Sequence, residues 1–229
     1  MDSSSPPGHR FAELQNLLAF YTQAGFVFSD TPTERGPALD AYLRVCARDP
    51  QRAAQAVREI DDLLTVGLFS EEISDDVDLM PRVRPTGGRN VEESLRIARD
   101  HIDACLRDRS LFPVGRPQMG LEWYERFPGL RHLLGAYFHQ DHFDEYSSDS
   151  EAVEDYLRGT PQEDITPVLE EVPELLAMVE SEEDLDRVTT ALGSQVSPPD
   201  GLTYRQWITS LADIIRQHLS GKPAPEEPS

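Results

Sequence analysis

Two distant stretches of this chain open in nearly the same way. FAELQNLLAFY begins at Phe11 and FPGLRHLLGAYF begins at Phe127. Leu14, Leu17, Leu18 and Tyr21 of the first correspond to Leu130, Leu133, Leu134 and Tyr137 of the second. Further blocks follow in the same order. ALDAYLR from Ala38 corresponds to AVEDYLR from Ala152. Val57, Glu59, Ile60, Leu63 and Leu64 correspond to Val168, Glu171, Val172, Leu175 and Leu176. SEEI from Ser70 corresponds to SEED from Ser181. Leu95, Ala98, Ile102 and Leu106 correspond to Ile208, Leu211, Ile215 and Leu219. An internal repeat at near-constant offset limits the architecture more than composition does, because the same apolar frame must be buried twice. The expectation is an all-α chain of two tandem, related small bundles, each of about five helices.

The apolar spacing inside each block is that of one helix face. Punctuation agrees with it. Thr160-Pro161 with Glu163 reads as a cap, a first-turn proline and a capping-box acid, and Asp49-Pro50 does the equivalent work in the first copy. Ser181 with Asp184, Thr203 with Gln206 and Asn90 with Glu93 open three more helices. Gly193 after Leu192 suits a left-handed stop. Sustained alternation is absent, so strand is limited to short extended pieces at Val27 and Phe28 or at Val83. The resulting division is a disordered N-terminus at 1–10, a first helical unit at 11–107, a linker at 108–126, a second unit at 127–219 and a disordered tail at 220–229. The linker carries Leu111, Phe112, Met119, Trp123 and Tyr124, so it is expected to pack between the units.

Charge narrows the partners. The 229 residues carry a formal net charge of −21. Between His139 and Asp200, eighteen Asp or Glu residues stand against Arg158 and Arg187 alone, a net −16. Such a surface repels the phosphates of nucleic acid and of anionic membranes, and attracts a basic protein. No apolar run approaches a membrane span and no secretion signal opens the chain, so the expected location is the cytoplasm. Cys46 and Cys105 fall among apolar neighbours and read as small core residues.

The second copy has a polar edge that the first lacks. His139, Gln140, Asp141, His142 and Phe143 stand where the first copy has Gln23, Ala24, Gly25, Phe26 and Val27. Asp144, Glu145, Tyr146, Asp149 and Glu151 continue the edge. Gln140, Asp141, His142, Phe143, Asp144, Glu145, Tyr146, Asp149 and Glu151 are therefore the candidate partner-binding residues, with Phe143 and Tyr146 as aromatic anchors among the acids.

From Phe127 to Leu219 the chain resembles the helical immunity proteins of contact-dependent growth inhibition systems. FPGLRHLLGAYFHQD, AVEDYLR, EEVPELL and DGLTYRQWI at Asp200 to Ile208 carry the resemblance. The family's tyrosine-phenylalanine pair followed by glutamine-aspartate is here Tyr137, Phe138, Gln140 and Asp141, and His142 stands where the family often has tryptophan. The resemblance implies a non-enzymatic protein that binds and neutralises a cognate toxin domain by stoichiometric occlusion. The first copy would be a divergent second member. A basic toxin cleft would attract the acidic edge.

Two other readings compete. Glu171 with Glu174, and Glu180 with Glu183, have the spacing by which an all-helical nucleotide hydrolase holds magnesium. Pro173 interrupts the first pair, and Lys222, in the tail, is the chain's one lysine, so a phosphate would find little cation nearby. His139 and His142 could ligate zinc from one helix face, without a visible third ligand. Gly87-Gly88 lacks the lysine of a phosphate loop. No cofactor is therefore assigned. The third reading, an acidic mimic of nucleic acid, uses the same charge against a DNA-binding partner.

Overall fold

The computed structural model describes residues 11–67 and 84–221. The two tails expected to be disordered lie almost wholly outside these residues, as does the SEEI block at Ser70. The chain divides into two compact units, Met1–Glu122 and Trp123–Ser229. The described residues are predominantly helical, and the fold is all-α.

In the first unit, α1 (Ala12–Gln23), α2 (Pro37–Cys46), α3 (Pro50–Val66) and α4 (Val91–Arg107) pack around one core. α1 turns Leu14, Leu17, Leu18 and Tyr21 inward, against α2 and α3. α3 places Ala53, Ala56 and Ile60 in that core, and packs along α4 through its Leu95, Ala98 and Ile102 face. Cys46 and Cys105 are buried free thiols, and burial pushes Cys46 up to about 12. The extended piece at Val27 and Phe28 forms β1 (Val27–Phe28), which pairs in parallel with β2 (Arg84–Pro85). After α4 comes a short 3₁₀ turn, Arg109–Leu111, and then α5 (Gly120–Arg126). Phe112 joins the first core and Trp123 the second. Glu122 is fully buried. It accepts from Arg44 Nε at 2.6 Å and from the backbone N–H groups of Gln118 and Met119, both at 2.9 Å.

The second unit contains α6 (Pro128–Tyr137), α7 (His142–Glu145), α8 (Asp149–Gly159), α9 (Gln162–Met178), α10 (Glu182–Ala191) and α11 (Tyr204–Leu219). α6 packs on α8 and α9, while α11 packs on α8, α9 and α10. Trp207, Ile208, Leu211 and Ile215 bring α11 into the core. The cap of α11 is a full capping box between Thr203 and Gln206, and Ser181 and Asn90 cap α10 and α4. One cap differs from expectation. Thr160 ends α8, its hydroxyl is buried, and Pro161 takes the N-cap position of α9 without a side-chain bond. Two helices share this short corner, and the backbone of Thr160 is committed to the first. Gly193 adopts φ +104° beyond α10, and a Cβ there would stand 2.8 Å from the Cα of Gly135 on α6. Only glycine allows both the left-handed turn and that close approach.

The first helix of each unit begins in the same way. Neither α1 nor α6 has its own side-chain cap. Instead, a buried glutamate from a neighbouring helix supplies the acceptor. Glu59 on α3 takes the N–H of Leu14 at 2.8 Å. Glu171 on α9 takes the N–H groups of Gly129 and Leu130 at 3.0 and 2.7 Å. A helix start has unpaired donors and a positive dipole end, so a carboxylate there satisfies both. Gly129 leaves room for it: a Cβ at that position would meet Val168 Cγ2 at 2.9 Å and Glu171 Oε2 at 3.1 Å.

Burial raises the Glu171 carboxyl above the ordinary glutamate range, and Glu174 adds to this, against the lowering effect of the two N–H bonds and of Arg131. A raised native value means that the folded state binds the proton more tightly than the unfolded chain. The contribution of Glu171 to stability is then greatest below the unfolded value and declines as pH rises through the folded one. Glu171→Gln should remove that component. The difference in urea midpoint between wild type and variant should therefore change with pH from about 4 upward, the ordinary glutamate value. A pH-independent difference would contradict this account.

Candidate partner-binding edge

The polar edge is one loop, one helical turn and one further loop between α6 and α8. α6 stops at Tyr137. Phe138 then dives into the core, and its carbonyl accepts from Gln195 N–H at 2.8 Å. The chain reaches α7 at His142, and α8 begins after Ser148, whose hydroxyl caps the N–H of Glu151. The serine run at Ser147 and Ser148 explains the break, since short hydroxyl side chains compete for local backbone groups. Glu151 reaches back to the N–H and hydroxyl of Ser147 at 2.8 and 2.7 Å, and these bonds hold its carboxyl below the usual range.

The edge is anchored from beneath by four side chains. His142 is 1% exposed. Its Nδ1 lies 2.8 Å from the carbonyl oxygen of Tyr137, and its Nε2 lies 3.2 Å from Asp149 Oδ1. Both neighbours are acceptors, and the tautomer of the ring decides which of the two bonds it donates. Asp149 Oδ2 accepts from Trp207 Nε1 at 2.7 Å. Phe138 completes the cluster, stacked on His142 with centroids 4.9 Å apart and edge-on to Trp207 at 5.4 Å. Asp149 thus joins α7, the start of α8 and the core face of α11. His142 and Asp149 resemble the base and orienting acid of a hydrolytic triad. The remaining nitrogen of His142 is on a main-chain carbonyl, however, so none is left to take a proton from a nucleophile.

The outward side is acidic with one apolar projection. Gln140, Asp141, Asp144, Glu145 and Glu151 are exposed, and Phe143 is 74% exposed. Tyr146 is half-buried and donates to Asp155 at 3.1 Å, and burial followed by that carboxylate pushes its hydroxyl up to about 12. His139 lies between the acids, 3.5 Å from Glu145 and 3.9 Å from Asp141. Seven of the nine candidate residues fall in this segment and Asp149 and Glu151 in the first turn of α8, but they divide by direction. His142 turns fully inward, and Asp149 spends both oxygens there. Trp207 was legible only as a core residue of the last helix. Its N–H reaches Asp149 across the fold, and no local spacing signals that.

Three of the four carboxylates considered for magnesium have other partners. Glu171 holds the start of α6, Glu174 accepts from Arg126 at 2.6 Å, and Glu183 pairs with Arg187 at 3.0 Å. Among the described residues no group of three or more His, Cys, Asp or Glu could hold a metal ion. Nor is any described helix long and apolar enough to cross a membrane.

No curated protein and no solved structure matches the chain. A family match does exist, and it falls on the second unit. It runs from the last residue of α5 through α6 to α10 and most of α11, and it covers less than half of the chain. Residues 126–215, which hold the whole acidic edge and its inner anchor, match the family model of the CdiI immunity protein.

Proposed function

We propose that this protein is an immunity protein that binds a cognate toxin domain in the cytoplasm and neutralises it by stoichiometric occlusion, without a catalytic step of its own. The observation that carries the reading is the family match over residues 126–215. The contact edge in this reading is Gln140, Asp141, Phe143, Asp144 and Glu145. His142, Tyr146, Asp149 and Glu151 hold it in place. The partner face is basic, because a surface with a net −16 over His139 to Asp200 gains most from opposite charge. Phe143 supplies an exposed aromatic anchor of the kind that concentrates binding energy.

The same proposal takes the first unit as a divergent second copy. The support is positional. Leu14 and Leu130 correspond in sequence, as do Glu59 and Glu171, and each glutamate caps the helix that carries the matching leucine. The first unit keeps this frame without the polar edge, and Phe26 stands exposed in the corresponding loop with φ +64°.

The test is binding to the cognate toxin domain. Charge reversal at Asp141, Asp144 and Glu145 together should slow association by about tenfold or more at low salt, with dissociation changing less. The gap should narrow as salt shortens the screening length. Equal association rates would remove this edge from the proposal. Failure of the wild-type protein to bind the toxin domain or to protect a cell expressing it would remove the immunity function.

A further inference from the structure

Beside the acidic edge lies a cleft of about 580 Å³ between the α7 to α8 segment and α11. Phe143, Pro199, Leu202 and Ile214 give it an apolar surface. Phe143 is 74% and Leu202 43% exposed. Among the described residues, the other exposed large apolar side chain of this unit, Tyr124, lies beneath Arg131 at 4.2 Å. The uncovered large apolar side chains among the described residues of the unit therefore gather at this cleft. Its carboxylates are already engaged, Asp149 with His142 and Trp207, and Asp213 with Arg216. Gln217 also lines it, and its side-chain oxygen is buried without a hydrogen-bond partner.

These features select one kind of guest. An anion would meet no cation in the lining and a strongly negative surface around it. An apolar guest of neutral or negative surroundings would lose the field of Asp144 and Glu145, which share the helical turn of Phe143. A donor N–H would relieve Gln217, whose unpaired acceptor is costly. We infer that the cleft receives an apolar side chain carried on a lysine- or arginine-rich loop of the protein partner. That the partner is a toxin domain rests on the function proposed above. The cleft's preference for a basic, apolar-tipped loop does not.

Three blocked peptides test the preference: acetyl-Lys-Lys-Trp-Lys-Lys-amide, its counterpart with glutamate for lysine, and its counterpart with alanine for tryptophan. Amide chemical shifts of the full-length protein are followed during titration. The basic tryptophan peptide should move the amides of Phe143, Leu202, Ser210 and Ile214 saturably, and the other two should bind about tenfold more weakly or worse. Leu202→Asp, at the exposed rim, should abolish those shifts while leaving the thermal transition in place. Ile214→Trp, which fills the cleft, should do the same. Equal binding of the basic and acidic tryptophan peptides, or shifts confined to other surfaces, would overturn the inference. Against the toxin domain, Leu202→Asp should weaken binding about tenfold. Full affinity there would overturn the cleft and leave the immunity reading standing. Absence of any complex with wild type would overturn the immunity reading, and the peptides would still decide the cleft.

Discussion

Glu171→Ala is expected to destabilise the second unit by about 2–5 kcal/mol, because two buried N–H groups lose their acceptor and each such loss costs about 1–3 kcal/mol. The side chain is 8% exposed, so water cannot readily replace it. It also neutralises the positive end of α6, and its loss leaves a gap beside Val168. Glu59→Ala should act the same way on the first unit, by less, since Glu59 takes a single backbone N–H, that of Leu14. Hydrogen exchange resolved by residue would separate the two effects. Protection should fall across α6 and α9 in the first variant and across α1 and α3 in the second. A change under about 0.5 kcal/mol at Glu171, the range of ordinary surface substitutions, would mean the bonds contribute nothing.

Asp149→Ala is expected to cost about 2–4 kcal/mol, since it strands the indole N–H of Trp207 and a ring nitrogen of His142 in the interior. Asp144→Ala, on the exposed side of the same segment, should stay within about 0.5 kcal/mol. Urea unfolding measures both. The indole N–H resonance of Trp207 adds a local readout: it should shift strongly in the first variant and not in the second. Asp149→Asn should fall between, because an amide can accept one of the two bonds but not both. Equal stability of the Asp149 and Asp144 variants would show that the inner anchor is not one.

Local features were legible in the sequence, and long-range ones were not. Thr203 with Gln206, Ser181 with Asp184 and Asn90 with Glu93 fix helix starts through bonds three residues long, so spacing alone reveals them. The apolar faces of α1, α4, α6 and α11 follow from period. Thr160 was misread because two helices meet there and only one can use its backbone. His139 and His142 share no helix: α6 ends at Tyr137 and His142 begins another. The acidic character of the edge was plain. The inward role of Asp149 was not, because Trp207 lies on another helix far along the chain, and the same distance in sequence hides the bond of Glu171 to Leu130. A carboxylate at a helix start and one on a solvated face look alike until the fold brings a donor to one of them.

The division of labour along this segment bears on how such a protein can change over generations. Asp149 and Glu151 are committed to the chain's own backbone and side chains, whereas Asp141, Phe143, Asp144 and Glu145 are exposed. Under the proposed function, a lineage that follows a changing toxin can rewrite the exposed residues while the concealed tether keeps each new version presented at the same angle.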